Sequence, residues 1–148
     1  GIPSDQTGLR RIAMNNVVIN KVQSIQRCVK RAREEYSQAE DFFKDYTRQD
    51  AAMLNVLRAC ELCIDLAAFV ISQRKLGVPT SSREAFELLR EAGVISSQLC
   101  DRMVKMVSFR NIAVHAYQAL DMKIVASVIR NDLDDLLTFA DVILQAVG

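Results

Sequence analysis

Apolar residues recur at spacings of three and four along most of the chain, which is the period of helices with one buried face. The pattern predicts a first helix at about residues 16–39 and a second at about residues 48–75. The second has apolar residues on nearly all sides between residues 53 and 71, and Glu61 and Asp65 interrupt this run. Because that run is short and interrupted by charge, it indicates a central core helix and not a membrane span.

Polar residues at the predicted helix starts divide the chain into its elements, because their side chains can bond the free backbone N–H groups there. In chain order these candidate caps are Asp45, Thr47 or Asp50 for the second helix, Ser81 with Glu84 for a short third, Ser96 or Ser97 for the fourth and Asp121 for the last. We therefore predict an all-α fold, a four- to five-helix, mostly antiparallel bundle.

Length and composition limit the chain to one folded unit. A chain of 148 residues that is 50% hydrophobic can bury one core, and its 5 Gly and 2 Pro favour helices over strands. Residues 14–148 are therefore predicted to form a single helical domain. Residues 1–13 differ in composition and directly precede Met14, so we interpret them as a vector-derived or disordered N-terminal segment.

Charge is balanced over the whole chain, with 19 Lys and Arg against 18 Asp and Glu. No global basic field attracts nucleic acid, so any RNA contact has to be local. A basic cluster on the first helix either binds phosphates or forms the charged outer face of the bundle, and the second role is the more common one. The cluster consists of Lys21, Arg27, Lys30, Arg31 and Arg33.

The four cysteines, Cys28, Cys60, Cys63 and Cys100, lie in apolar helical surroundings. Cys60 and Cys63 form a C-x-x-C pair, which in other settings indicates redox or zinc chemistry. Here the second pair of zinc ligands is missing, and the C-x-x-C falls in the middle of a predicted helix. We predict reduced core thiols in a cytoplasmic protein that uses no metal and no cofactor.

Unusual chemistry is concentrated in residues 108–117, which include the single histidine, His115. Arg110 follows the apolar Met106 and Val107 at helical spacing, so it emerges from the buried stripe of its helix. Arg110 and His115 are five residues apart, which separates them by roughly 140° around a regular helix. Both reach one point only if the helix bends or ends nearby, or if a second subunit contributes.

The spacing Arg110-x4-His115-x-Tyr117 resembles the signature of HEPN-domain proteins, in which Asn directly after the arginine, here Asn111, is also common. With its helical context, the chain over residues 14–148 resembles the HepT-type toxins, small all-helical ribonucleases encoded beside a minimal nucleotidyltransferase antitoxin. The resemblance implies an endoribonuclease that is the toxin of a toxin–antitoxin system. It also implies a homodimer in which two copies of the motif line one cleft.

These residue types suit RNA cleavage without a metal, in which the ribose 2′-hydroxyl attacks the adjacent phosphate. An imidazole changes charge near neutral pH, so His115 is the candidate general acid and base. A guanidinium stays charged and matches phosphate oxygens, so Arg110 is the candidate for orienting the phosphate and stabilising the transition state. Asn111 is expected to support the motif, and a plain helix-end role is equally open to it.

Tyr117 has two interpretations. The structural one is an amphipathic residue with a packed ring and a bonded hydroxyl. The resemblance implies a second, because in HepT-type pairs the nucleotidyltransferase transfers AMP onto the motif tyrosine. Such a bulky, negatively charged group would block the cleft and compete for Arg110.

Glu61 and Asp65 are four residues apart and share one face of the second helix. They either pair with arginines at a subunit contact or orient Arg110 or His115. The first role is slightly favoured, and Asp65 is the better candidate of the two for a role in the site.

Two other functions are open to a domain of this kind, because a helical bundle can host all of them. One is a non-catalytic HEPN module that binds nucleotides or RNA, and the intact motif argues against it. The other is a scaffold partner that only covers the nucleotidyltransferase. A pure scaffold is expected to tolerate loss of His115.

Overall fold

The computed structural model describes the backbone of residues 4–147 and the side chains of residues 8–147. Within that range there is no strand, so the predicted all-α fold is confirmed. The first four helices are α1 (Ser4–Gln38), α2 (Tyr46–Arg74), α3 (Ser82–Glu91) and α4 (Ser97–His115). A fifth helical stretch runs through α5 (Met122–Ser127), a π-helical segment (Val128–Asp132) and α6 (Leu133–Val147). Short 3-10 turns lie at Phe42–Lys44 and Tyr117–Ala119.

Predicted side-chain caps start the two helices that flank the motif. Ser96 Oγ accepts a hydrogen bond from the backbone N–H of Leu99 at 3.1 Å at the start of α4. Asp121 Oδ1 accepts one from the backbone N–H of Lys123 at 2.9 Å at the start of α5. Each cap satisfies a backbone donor that has no partner within its helix, which stabilises the helix by about 1 kcal/mol.

The first helix begins earlier than predicted, at Ser4 instead of about residue 16. Residues 8–13 are exposed, with Leu9 and Ile12 65% and 58% accessible, so packing does not explain this extension. The stretch is rich in good helix formers, and adding residues to an existing helix is much easier than nucleating one. The structure thus describes residues 4–13 as helix, and the interpretation of residues 1–13 as a vector-derived or disordered segment stays a prediction.

The central position of α2 is confirmed, since it packs against α1, α3, α4 and α6. α1 and α2 form an antiparallel hairpin, α3 and α4 form a second one, and α6 packs against α1, α2 and α4. Phe86 of α3 and Phe139 of α6 are fully buried, and their rings meet edge to face with centroids 5.2 Å apart. Removing large apolar side chains from water is the main source of stability in such a core. Over the described residues, no helix is long and apolar enough to cross a bilayer.

All four cysteines are buried and unbridged, as predicted for core thiols. Burial, followed by the charge of Glu61, raises the pKa of the Cys60 thiol to about 12. Burial also raises the pKa of Cys63 well above its ordinary value. Since the thiolate is the reactive and metal-binding form, these two thiols are inert at neutral pH. The C-x-x-C pair is therefore part of the core.

Candidate active site at the end of the fourth helix

The Arg-x4-His-x-Tyr motif lies where α4 ends. His115 is the last residue of α4, and Ala116 leaves the helix with a φ of −141°. Tyr117 then opens the 3-10 turn that leads to α5. Of the arrangements that the sequence left open, the structure shows a helix end directly after His115. α4 is nevertheless an unbroken α-helix from Arg110 to His115, so the two side chains leave its axis about 140° apart.

Arg110 is held by two acceptors, one on α2 and one on its own helix. Its Nε donates to the carboxylate of Glu61 on α2, and its Nη1 donates to Asn111 Oδ1 at 2.7 Å. The Arg110 side chain is 25% exposed. A guanidinium has five N–H donors, so these two bonds leave the others for a phosphate. The site therefore contains an oriented Arg110 guanidinium, contacted by Asn111, whose remaining N–H donors can bind a phosphate.

Glu61, and not Asp65, is the carboxylate that holds Arg110. Asp65 lies one turn further along α2, is exposed, and forms no ion pair or side-chain hydrogen bond among the described residues. The preference for Asp65 as the orienting group was therefore wrong. Helical spacing places both carboxylates on one face, but the level at which α4 crosses α2 selects between them.

His115 is exposed at the C-terminal end of α4. Its imidazole lies at the protein surface, where a polynucleotide can reach it without any rearrangement of the core. Each chain has one such imidazole. RNA cleavage needs one proton to be removed and one to be donated, so a single chain offers one group for two proton transfers.

Tyr117 is tied to the start of α2. Its hydroxyl donates a hydrogen bond to Asp50 Oδ1 at 2.5 Å, and its side chain remains 38% exposed. Burial and the Asp50 carboxylate raise the pKa of Tyr117 to about 12, so the phenol is protonated at neutral pH. The expected bonded hydroxyl is confirmed. Asp50 was considered only as a cap, and nothing in the sequence relates it to Tyr117, 67 residues away.

An open groove of about 970 Å³ between α1 and α2 reaches the motif. Its walls include Glu61, which holds Arg110, and Val114, which directly precedes His115. Asp65 lines the same groove. The groove therefore borders the motif through Glu61 and Val114, although Arg110 and His115 do not line it.

Three arginines line this groove: Arg27 and Arg31 of α1 and Arg58 of α2. In the part of the chain that the structure describes, none of them has a carboxylate within ion-pair distance. The basic cluster predicted on the first helix is therefore divided. Lys30 and Arg33 pair with carboxylates outside the groove, whereas Arg27 and Arg31 face it. An anionic strand in the groove would meet three unneutralised guanidinium groups.

The described residues contain no group of three or more His, Cys, Asp or Glu side chains that is arranged to hold a metal ion. The acidic groups nearest to the motif are used in other ways. Glu61 bonds Arg110 and Asp50 bonds Tyr117. The polar side chains of the motif are thus a guanidinium, an amide, an imidazole and a phenol, and two carboxylates hold the first and the last of these.

Known proteins resemble this chain in sequence and in fold. Residues 22–143 match the family model Ribonuclease HepT-like. The chain is 45% identical over 130 residues to the mRNA nuclease HepT of Shewanella oneidensis, covering 88% of this chain and 98% of that protein. The solved structure of a tri-AMPylated Shewanella oneidensis HEPN toxin in complex with MNT antitoxin matches with a TM-score of 0.81 at 45% identity, covering 86% of this chain and 96% of that one.

A solved toxin–antitoxin complex with AMP-PNP is also similar, with a TM-score of 0.82 at 44% identity, covering 86% of this chain and 97% of the solved chain. Sequence and fold therefore agree over nearly the full length of these relatives. The match to the family model covers most of the chain and includes the whole motif. This chain belongs to the HepT-like ribonuclease family.

Proposed function

We propose that this protein is the toxin of a toxin–antitoxin pair, an endoribonuclease that cleaves RNA at Arg110 and His115 without a metal ion. The observation that carries the proposal is the complete motif at the exposed end of α4, beside a groove lined by arginines that have no carboxylate partner among the described residues. A relative that is 45% identical is an mRNA nuclease. Reduced core thiols fit action in the cytoplasm, where mRNA is found.

Each motif residue has a defined task in this reaction. The ribose 2′-oxygen attacks phosphorus, and His115 takes or returns a proton as general base or acid. The leaving 5′-oxygen receives a proton as its bond to phosphorus breaks. Arg110 stabilises the negative charge that builds up on the phosphate, because Glu61 and Asn111 hold its guanidinium in one orientation.

A homodimer completes the site in this proposal. One chain directs Arg110 and His115 to different sides of α4 and supplies one imidazole for two proton transfers. Two copies whose α4 ends meet would supply two guanidinium groups and two imidazoles to one cleft. A cleft shared by two chains would thus bring together the guanidinium and imidazole groups that one chain directs apart.

The antitoxin in this proposal is a minimal nucleotidyltransferase that transfers AMP to Tyr117. The solved relatives include a tri-AMPylated HEPN toxin with MNT antitoxin and a toxin–antitoxin complex with a tyrosine-to-alanine substitution. Tyr117 is two residues from His115, and its side chain is 38% exposed. An attached AMP would add a bulky, negatively charged group at the end of α4 and obstruct the approach to His115.

The nuclease proposal is tested by changing the motif. We expect Arg110→Ala and His115→Ala each to reduce cleavage of labelled RNA in EDTA by at least about 100-fold, because each removes a group that acts on the transition state. The far-ultraviolet circular dichroism should not change, since both side chains lie outside the core. Arg130→Ala, at an exposed arginine of the π-helical segment, is the matched control.

Full cleavage by His115→Ala would exclude His115 as the acid or base. Cleavage by the wild type that stops in EDTA would exclude the metal-independent route. The same assay separates the ribonuclease from a non-catalytic HEPN binder, which retains RNA affinity but cuts nothing. A scaffold partner would bind the nucleotidyltransferase equally well with or without His115 and would leave RNA intact.

A further inference from the structure

Asp50 is a carboxylate that the ribonuclease reaction does not use. It lies in the second turn of α2, and its carboxylate accepts the hydroxyl hydrogen of Tyr117 at 2.5 Å. Among the described residues, this hydroxyl is its only side-chain hydrogen-bond partner, and it forms no ion pair. Asp50 is also exposed and does not line the arginine groove. Its one evident contact is therefore the oxygen atom that would receive AMP.

We propose that Asp50 is the general base of AMP transfer, taking the hydroxyl proton of Tyr117 as the phenol oxygen attacks the nucleotide. The inference rests on the proposed function, in which Tyr117 is the AMP acceptor. In this proposal the toxin chain itself supplies the carboxylate that activates Tyr117, and the nucleotidyltransferase supplies the nucleotide.

The step balances with a nucleoside triphosphate as the co-reactant. The Tyr117 oxygen attacks the α-phosphorus of ATP, and a new oxygen–phosphorus bond forms. The bond from the α-phosphorus to the bridging oxygen breaks, and pyrophosphate leaves with that electron pair. The hydroxyl proton moves to the Asp50 carboxylate and then to water. No electron carrier is needed, and a solved toxin–antitoxin relative contains the ATP analogue AMP-PNP.

A neutral phenol needs such help. The hydroxyl of Tyr117 is protonated at neutral pH, and the same bond that raises its pKa also directs its hydrogen toward a carboxylate. A general base that is already hydrogen-bonded to the reacting hydroxyl is positioned for proton transfer before the nucleotide binds. In the described residues Asp50 is the one charged group that acts on the Tyr117 hydroxyl. The exposed part of the phenol leaves room for the nucleotide.

The experiment follows AMP addition to the full-length chain by intact mass spectrometry, using the cognate nucleotidyltransferase and ATP. In Asp50→Asn we expect the first addition to be at least about 100-fold slower than in the wild type at pH 7, which is the usual contribution of a general base. Asp50→Glu should recover much of the rate. Asp101→Asn, which removes an exposed carboxylate of α4, should match the wild type.

A pH series distinguishes a general-base role of Asp50 from a purely structural hydrogen bond between Asp50 and Tyr117. Burial is the larger cause of the raised pKa of Tyr117 and remains in Asp50→Asn, whereas the contribution of the Asp50 carboxylate is lost, so the pKa falls in part from about 12. The rate of Asp50→Asn should then rise about tenfold per pH unit from pH 7 to 9, as phenolate replaces the missing base. The wild type should rise less steeply. A second AMP is added when a ribose hydroxyl of the first AMP attacks the α-phosphorus of another ATP and pyrophosphate leaves, so this second addition should keep its wild-type rate.

Two results would overturn the inference. Equal or faster first addition in Asp50→Asn would mean that Asp50 restrains Tyr117 and does not activate it. A slow variant with the same pH profile as the wild type would mean that Asp50 only positions the turn. A wild-type chain that gains no AMP would instead contradict the proposed function. The wild-type arm therefore distinguishes the two failures.

Discussion

Arg110 depends on a neighbour from another helix for its orientation. The Glu61 carboxylate accepts from Nε, so the guanidinium plane is set before any substrate arrives. Both side chains are partly exposed, so this pair contributes little to folding stability. The pair instead positions the guanidinium for catalysis, because a phosphate-binding group that is misplaced by about 1 Å loses much of its effect on the rate.

This role predicts that Glu61 and Asp65, which share one face of α2, differ in their effect on the rate of RNA cleavage. We expect Glu61→Ala to lower kcat for RNA cleavage by about 10- to 100-fold, because Arg110 loses its orientation. RNA affinity should not fall, since the charge that is removed is negative. Single-turnover cleavage and a separate binding titration measure the two effects.

Asp65→Ala is the matched control, because it removes a carboxylate from the same groove without touching Arg110. It should cleave RNA at close to the wild-type rate. An equal loss of kcat in both variants would show that the charge of the groove matters and the hydrogen bond to Arg110 does not.

At the scale of elements, α1 and α2 together present a surface that neither helix has alone. Arg27 and Arg31 come from α1, and Arg58 comes from α2. The chain as a whole is almost neutral, with a net charge of +1. Phosphate binding is therefore expected in this groove and not over the whole surface.

We predict that replacing Arg27, Arg31 and Arg58 by Gln, singly and together, weakens RNA binding progressively. Each arginine that no longer neutralises a phosphate should reduce the slope of log affinity against log salt by about 0.7 for a single strand. Fluorescence anisotropy at several salt concentrations gives this slope. Arg83→Gln, an exposed arginine of α3 outside the groove, is the control. A slope that stays the same in the triple variant would exclude the groove as the RNA path.

At the scale of the whole molecule, the position of the motif bears on whether one chain or two chains form the active site. α4 ends at His115, so the motif is at a surface that a second copy can approach. Arg110 and His115 of one chain nevertheless diverge around the helix axis. A site shared between two chains can combine the Arg110 of one with the His115 of the other.

A mixed dimer tests this arrangement. We expect a heterodimer of Arg110→Ala with His115→Ala, co-expressed with two different tags and purified through both, to cleave RNA measurably. Each parent homodimer should be inactive, because it lacks one of the two groups entirely. An inactive heterodimer would mean that cleavage needs both imidazoles or both guanidinium groups. Full activity of monomers at concentrations where no dimer forms would contradict the shared cleft.

Much of this protein was predictable from local patterns. The spacing of apolar residues predicted the helices, and Ser96 and Asp121 were recognised as caps because capping joins near neighbours in the chain. The burial of Cys60 and Cys63 followed from their place in an apolar helix. The early start of α1 at Ser4 was missed, because residues 8–13 are exposed and have no apolar stripe against the core.

The sequence by itself determined the all-α bundle and the identity of the motif residues Arg110, His115 and Tyr117, since both depend on residue chemistry and local spacing. Only the tertiary structure decided which carboxylates meet them. Glu61 is 49 residues from Arg110, and Asp50 is 67 residues from Tyr117. Such pairs depend on the level at which one helix crosses another, and that level is set by the packing of the whole core and not by any local pattern.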